Sequence, residues 1–484
     1  MVGFQLEPEH EELRKTVAAF AREVVAPVIG DFYERDAFPY PVIAGMGQLG
    51  LFGLPFPESY GGMGGDTFAL CLALEELGRV DSSVAITLEA AVCLGAMPLY
   101  LYGSDEQRMR WLPDLCSGAR LAAFGLTEPG GGTDIPGGTR TRARPEGDPA
   151  QGDGEWVIDG SKAFITNSGT DITSLVTVLA ITGVSEGQHK ELSSIIVPAG
   201  TPGFTVGQRY SKVGWCASDT RELSFDSCRV PFSNLLGTRG RGYAQFLRIL
   251  DEGRVAIAAL ATGLAQGCVD ECLRYAGERQ AFGQEIGRYQ AIRFTIADME
   301  ARAHTARLAW YDAAARMAAG EPVKKAAAIA KLTASDAAMV NARDATQIFG
   351  GYGFMNEFPV GRFYRDAKIL EIGEGTSEVQ RMVIARELGL PGRDARRPPG
   401  VSARQAAQQP PGSWGGPGNG RYDADGSAGD VAWLRTSRLT SARSFTNSGI
   451  SLVAVWSRGC GRFTGRSARM RPGPGVSTMT RSPT

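Results

Sequence analysis

The spacing of apolar residues along this chain changes twice, from helical to alternating and back to helical. Few architectures accommodate both changes. In residues 1–120, Glu9–Val25 repeats Leu13, Val17, Phe20, Ala21 and Val24 at helical spacing, and Pro27 is expected to stop it. Asp66 or Thr67 is placed to cap Phe68–Gly78, and a third helix is expected over Ser82–Tyr102. Ser104 with Gln107 then forms a capping box for 104–116. Between 121 and 236 the period falls to two. Short β-rich runs at Ala122–Leu126, Trp156–Phe164, Ser174–Ile181, Ser193–Val197, Gly203–Val206 and Glu222–Cys228 alternate with Gly, Pro, Asp and Ser clusters. From 242 to 389 the helical period returns over 242–276, 289–319, 322–349 and 374–388.

The expected class is α+β. It comprises an N-terminal helical domain (1–120), a middle antiparallel β-barrel (121–238) and a C-terminal helical bundle (239–392). Residues 393–484 read as a disordered basic tail. They hold 14 Arg, no Lys and four Asp, and too few large apolar residues for a core. That tail is net +10, so the first 392 residues of a chain with formal charge −1 sum to −11. An acidic body argues against nucleic acid as a partner. No apolar run reaches membrane-span length, so no membrane association is expected. No secretory signal is legible and eight Cys make no CxxC pair, so a cytoplasmic setting is expected. Three His leave too few ligands for an ordinary zinc site, and no metal is expected.

Six stretches carry chemistry. In Ile369–Arg381, two glycines flank Glu374, so a carboxylate can be held beside a ligand as a general base. Thr376 or Ser377 can cap the helix that follows. Leu126–Asp134 (LTEPGGGTD) offers backbone N–H groups with Thr127 and Thr133 hydroxyls, without the spacing of a P-loop or a dinucleotide fingerprint. Lys162–Gly169 places Phe164 and Thr166 two apart, on one face of a strand by alternation. Arg279–Gly283 with Gln290, Gln347–Gly353 and Arg365-Asp366 supply forked cationic and glycine-turn contacts suited to a pyrophosphate. Each alone also reads as an ordinary turn, cap or packing feature.

Taken in order, LTEPGGGTD, KAFITNSG, GWCASDTRELSF, RQAFG with its downstream Gln, QIFGGYGF with RDAK, and EGTSEVQR resemble the acyl-CoA dehydrogenase family over about 80% of the chain. The resemblance implies that the C-terminal bundle has four helices. It implies FAD between barrel and bundle, partly across a subunit interface of a homotetramer or dimer. It implies Glu374 as catalytic base. A minority branch carries that base at the position of Gly253, so no rival stands there, although Glu252 is adjacent. Phe124, Leu126, Thr127, Thr133, Phe164 and Thr166 match flavin-contacting positions. Arg279, Ala281, Phe282 and Gln290 match contacts to the adenine-side pyrophosphate, and Gln347, Gly350, Gly351, Thr376 and Glu378 complete the cofactor set. Thr133, Asp251, Arg254 and Gly375 match acyl-CoA contacts. Phe164 replaces a frequent Trp, and Gly373 replaces a frequent Tyr, which widens the acyl pocket.

The implied reaction is α,β-dehydrogenation of an acyl-CoA to trans-2-enoyl-CoA, with electrons leaving to an electron-transfer flavoprotein. A short or branched acyl group is expected. Two alternatives stay open: a flavin oxidase or monooxygenase of the same fold, and a non-catalytic flavin- or CoA-binding protein.

Overall fold

The computed structural model describes residues 6–149, 152–184 and 189–390. The basic segment 393–484 lies outside them. The N-terminal part contains α1 (Pro8–Phe20), α2 (Ala26–Glu34), α3 (Tyr40–Gln48), α4 (Thr67–Gly78), α5 (Ser82–Glu89), α6 (Met97–Tyr102) and α7 (Asp105–Cys116). Pro27 does not stop the first helix. A π turn over Ala21–Val25 joins α1 to α2, and the Ala26 N–H donates to the Ala21 carbonyl five residues back. The widened turn accommodates the missing Pro27 donor, and the helical rod runs on to Glu34. The same device joins α5 to α6 through Ala90–Ala96, just ahead of Pro98. Asp66 caps α4 by accepting from the Ala69 N–H at 2.8 Å. The Ser104–Gln107 capping box forms at α7 with bonds of 3.0 and 3.1 Å.

The middle part is an eight-stranded, mostly antiparallel sheet. Its strands are β1 (Leu121–Gly125), β2 (Arg142–Asp148), β3 (Asp153–Thr166), β4 (Thr173–Val184), β5 (Lys190–Pro198), β6 (Phe204–Arg209), β7 (Thr220–Pro231) and β8 (Leu235–Leu236). The order β6-β7-β3-β2-β4-β5-β8 is joined by β1, which pairs with β4 in parallel. A short helix, α8 (Ile135–Gly138), sits between β1 and β2. The strands enclose their own core around Trp156, Ile158, Val197 and Phe225. β2 is absent from the sequence reading because only Ala143 of its seven residues is buried, leaving no alternation to see.

The C-terminal part holds the 37-residue α9 (Gly242–Glu278), a hairpin of β9 (Gln280–Ala281) and β10 (Gln284–Glu285), then α10 (Gln290–Ala318), α11 (Lys324–Phe349), α12 (Pro359–Leu370) and α13 (Ser377–Glu387). By length and composition, Ser82–Tyr102 and α9 are apolar enough to cross a bilayer. Their apolar windows are instead 83% and 89% buried in this protein, as core helices. The main core packs α4 and α9 with α10 and α11. Asp366 on α12 fastens the three parts together. It accepts from the Tyr33 hydroxyl at 2.6 Å, the Ser82 hydroxyl at 2.7 Å and the Trp215 N–H at 2.7 Å.

Candidate active site

Glu374 lies in the turn between α12 and α13, just before the helix that the sequence suggested would include it. Its φ is +50°, and that of Gly375 is +94°. A non-glycine residue there is strained, and such strain is concentrated at functional positions. The turn is tied down on both sides. The Gly373 N–H donates to the Ile369 carbonyl at 2.7 Å and the Ser377 N–H to that of Glu371 at 2.9 Å. Thr376, not Ser377, caps α13, accepting from the Val379 N–H at 3.3 Å.

The Glu374 carboxylate is buried against α9 directly over Gly253. A Cβ at position 253 would lie 2.3 Å from Glu374 Oε2. The two places where a base can stand are therefore mutually exclusive in this geometry, and the glycine is what admits the glutamate. Glu252 has Arg248 and Asp251 as its charged neighbours and acts on the Cys93 thiol. Among the described residues, no donor outside the pair meets hydrogen-bond geometry at either oxygen of Glu374 or of Glu89. Glu89, fully buried at the end of α5, stands beside Glu374 with the Cys93 thiol close by.

Burial pushes the Glu89 carboxyl well above the ordinary carboxylate range, and the neighbouring Glu374 pushes it further. Burial also raises Glu374, but a hydrogen bond from Glu89 and the charges of Lys331 and Arg254 oppose the rise. Two charged carboxylates cannot share such a site cheaply. Burial therefore disfavours a charge on Glu89 more strongly than on Glu374, where Lys331 and Arg254 oppose it. Arg254 is buried and ion-paired with Asp251 one helical turn away on α9.

The candidates matched to flavin contacts lie in the middle part. The Phe124 ring is buried and stacks on Phe246 at 4.0 Å, so only its backbone is left to a ligand. Leu126 is buried, Thr127 half-buried and Thr133 exposed. Simple alternation does not set Phe164. The β3–β7 register slips between Lys162 and Ile165, and Phe164 stands at φ +62° with its ring 66% exposed. The bulge leaves the Phe164 ring largely exposed, tilted against Tyr210 at 5.3 Å. The same part holds an ion pair that the sequence reading missed. Buried Lys162 donates to Glu128 at 2.7 Å and to the Leu126 carbonyl at 3.3 Å. Burial pulls Lys162 down to about 8, while Glu128 holds it up. Glu128 also accepts from the N–H groups of Arg140 and Thr141, at 2.7 and 3.0 Å.

The remaining candidates lie elsewhere. Arg279 follows the last residue of α9, and at about 1.5 Å per helical residue it stands roughly 37 Å along the axis from Arg254. It lines a cleft of about 530 Å³ with Tyr275, Ile348, Gly350, Gly351 and Tyr352. Positions 350 and 351 have no atom within 4 Å of where a Cβ would be, so a ligand can approach the backbone closely. Ala281, Phe282, Gln290 and Gln347 belong to this end, with Phe282 97% exposed. Glu378 is exposed on the first turn of α13. In the single chain the Arg279 cleft thus stands apart from the Glu374 carboxylate.

Comparison with known proteins identifies the family. Models of the acyl-CoA dehydrogenase N-terminal, middle and C-terminal domains match residues 7–119, 123–228 and 240–389. The probable acyl-CoA dehydrogenase YngJ of Bacillus subtilis is 46% identical over 387 residues, covering 80% of this chain and all of that protein. The butyryl-CoA dehydrogenase of Megasphaera elsdenii superposes with a TM-score of 0.76 at 40% identity, over 80% of this chain and 100% of that one. A chain solved in work on the electron transferring flavoprotein of Acidaminococcus fermentans gives 0.76 at 39% identity, over 80% and 99%. The family is one of flavoproteins that oxidise the CH–CH group of acyl-CoA in fatty acid β-oxidation. With all three domain models matched in order around the buried glutamate, the chain belongs to the acyl-CoA dehydrogenase family.

Proposed function

We propose that this enzyme binds FAD and converts a short or branched acyl-CoA to its trans-2-enoyl-CoA, with Glu374 as the base that removes the α-proton. The observation that carries the reading is the buried Glu374 carboxylate, made possible by Gly253 and held beside the buried Glu89. The residues present fit a flavin dinucleotide. Phe164 offers a largely exposed ring, and a glycine-lined cleft under Arg279 suits a pyrophosphate. FAD, when bound, accepts the β-hydride.

The chain's own groups do the rest. Arg254 and Asp251 hold the thioester end, while the Glu374 backbone N–H, in a turn outside both helices, polarises the thioester carbonyl. That polarisation acidifies the α-carbon, and the Glu374 carboxylate takes its proton. Packing around the pair excludes water and leaves the carboxylate a stronger base than a solvated one. The likeness to the butyryl-CoA dehydrogenase supports a short acyl group, and the likeness to a chain from work on an electron transferring flavoprotein supports such a protein as electron acceptor. Because Arg254 and Arg279 are roughly 37 Å apart along one helix, each complete cofactor site takes Glu374 from one copy and Arg279 from another. The enzyme is accordingly at least a homodimer, and a homotetramer as a pair of dimers.

Glu374→Gln tests the reading. The amide preserves shape, so the purified variant should retain the flavin's visible absorption. Its bleaching by butyryl-CoA should be slower by at least the 10²–10⁴-fold a general base supplies. Bleaching at the wild-type rate would remove Glu374 from the role.

A further inference from the structure

Lys331, on α11, is 0% exposed, and its ammonium donates to two carbonyls on either side of Glu374: Leu370 at 2.6 Å and Gly375 at 2.9 Å. Both carbonyls have a second donor. The Ser335 hydroxyl reaches Leu370 at 2.8 Å, its one proton shared with the Lys331 carbonyl at 2.7 Å, and the Gln380 amide reaches Gly375 at 2.8 Å. Neutral groups therefore already serve the same acceptors. A buried ammonium is costly unless a negative charge lies near, so its presence needs a further reason. The groups facing it are Glu374 and Glu371 from the turn, Asp336 on its own helix and Arg254 on α9. Arg254 repels it, and Asp336 and Glu371 are both partly exposed. The buried counter-charge is Glu374.

We propose that Lys331 is the positioning residue for the catalytic base: it clamps the strained turn at both ends and supplies the charge that keeps the Glu374 carboxylate ionised. The proposal rests on Glu374 being the base. Its geometry is independent of FAD, because every partner named belongs to this chain. Burial pulls Lys331 itself down to about 8, so it remains charged at neutral pH. Removing the charge leaves burial acting on Glu374 with only the Glu89 hydrogen bond and Arg254 in opposition.

The test compares the holoenzymes of Lys331→Met, Lys331→Gln, Lys331→Arg and Ser335→Ala with wild type by two measurements. The first is hydrogen exchange of the 369–377 segment, which should be faster in both neutral Lys331 variants. The second is the pH dependence of the limiting rate of flavin bleaching by butyryl-CoA. Its acid-limb midpoint should move up by about one unit in the Met and Gln variants, as expected for losing a nearby opposite charge. Lys331→Arg should return the midpoint towards wild type. Ser335→Ala, which removes a bond but no charge, should loosen the segment without moving the midpoint. An unmoved midpoint in Lys331→Gln, or an equal move in Ser335→Ala, overturns the proposal. If Lys331→Met does not assemble, Lys331→Gln, which keeps an amide donor, carries both measurements. Failure of the underlying reading looks different, because Glu374→Gln would then bleach at the wild-type rate whatever Lys331 does.

Discussion

At Glu374 a charged group is kept in a dry place by its neighbours, and each neighbour can be tested. Gly253→Ala introduces a Cβ 2.3 Å from Glu374 Oε2, so the carboxylate must move. A displacement of about 1 Å costs on the order of 10²-fold in rate. Stopped-flow flavin reduction should show that loss with FAD content unchanged, and a rate near wild type would mean the site tolerates the shift. Glu89 acts through its hydrogen bond to Glu374. Glu89→Gln keeps a donor towards Glu374 and should leave the acid limb of the rate profile where it was. Glu89→Leu removes the donor and fills the space, so Glu374 should protonate more readily. Its folded-state pKa rises, and activity should be lost at a higher pH than in wild type. The limb of the Leu variant moving down would refute that role for Glu89. Glu374 was legible in the sequence because two glycines flank it and mark a turn. Glu89 and Lys331 were not, because each lies in a helix with nothing local to distinguish it, and each gains meaning from a partner hundreds or tens of residues away.

Among the elements, the long periodic helices and the more buried strands were readable, and the exceptions have physical causes. Pro27 looked like a stop, yet a π turn ahead of it lets the helix continue, as another does ahead of Pro98, a local geometry that apolar spacing does not encode. α12 was missed. Its buried face alternates Val360, Phe363, Ala367 and Leu370 with buried Arg362 and Asp366, and the polar pair blurs the pattern. Lys162 reads in sequence as an ordinary strand residue, but it carries the loop above it. Lys162→Met would leave Glu128 buried without its cation, and such breaks cost about 3–5 kcal/mol. Chemical denaturation should register the loss, together with weaker FAD retention from a loosened 127–134 loop. A change below 1 kcal/mol, on the order of a surface pair, would show the pair to be dispensable.

At the scale of the whole molecule, α9 decides what one copy can do alone. Arg279→Ala should leave the Glu374 end intact and weaken cofactor retention. A charge-assisted contact to a pyrophosphate contributes about 1.5–3 kcal/mol, or roughly one to two decades in affinity. FAD occupancy after dialysis should fall while turnover at saturating FAD is kept, and the opposite pattern would refute the assignment. The length of α9 has a genetic corollary. If the two ends of that helix serve different sites, two inactive alleles need not be inactive together. A cell making both Glu374→Gln and Arg279→Ala chains would assemble mixed pairs in which one site receives both defects and its twin receives neither. With random assortment about a quarter of all sites would then be intact at limiting FAD. Interallelic complementation is thus the phenotype expected from a helix of 37 residues.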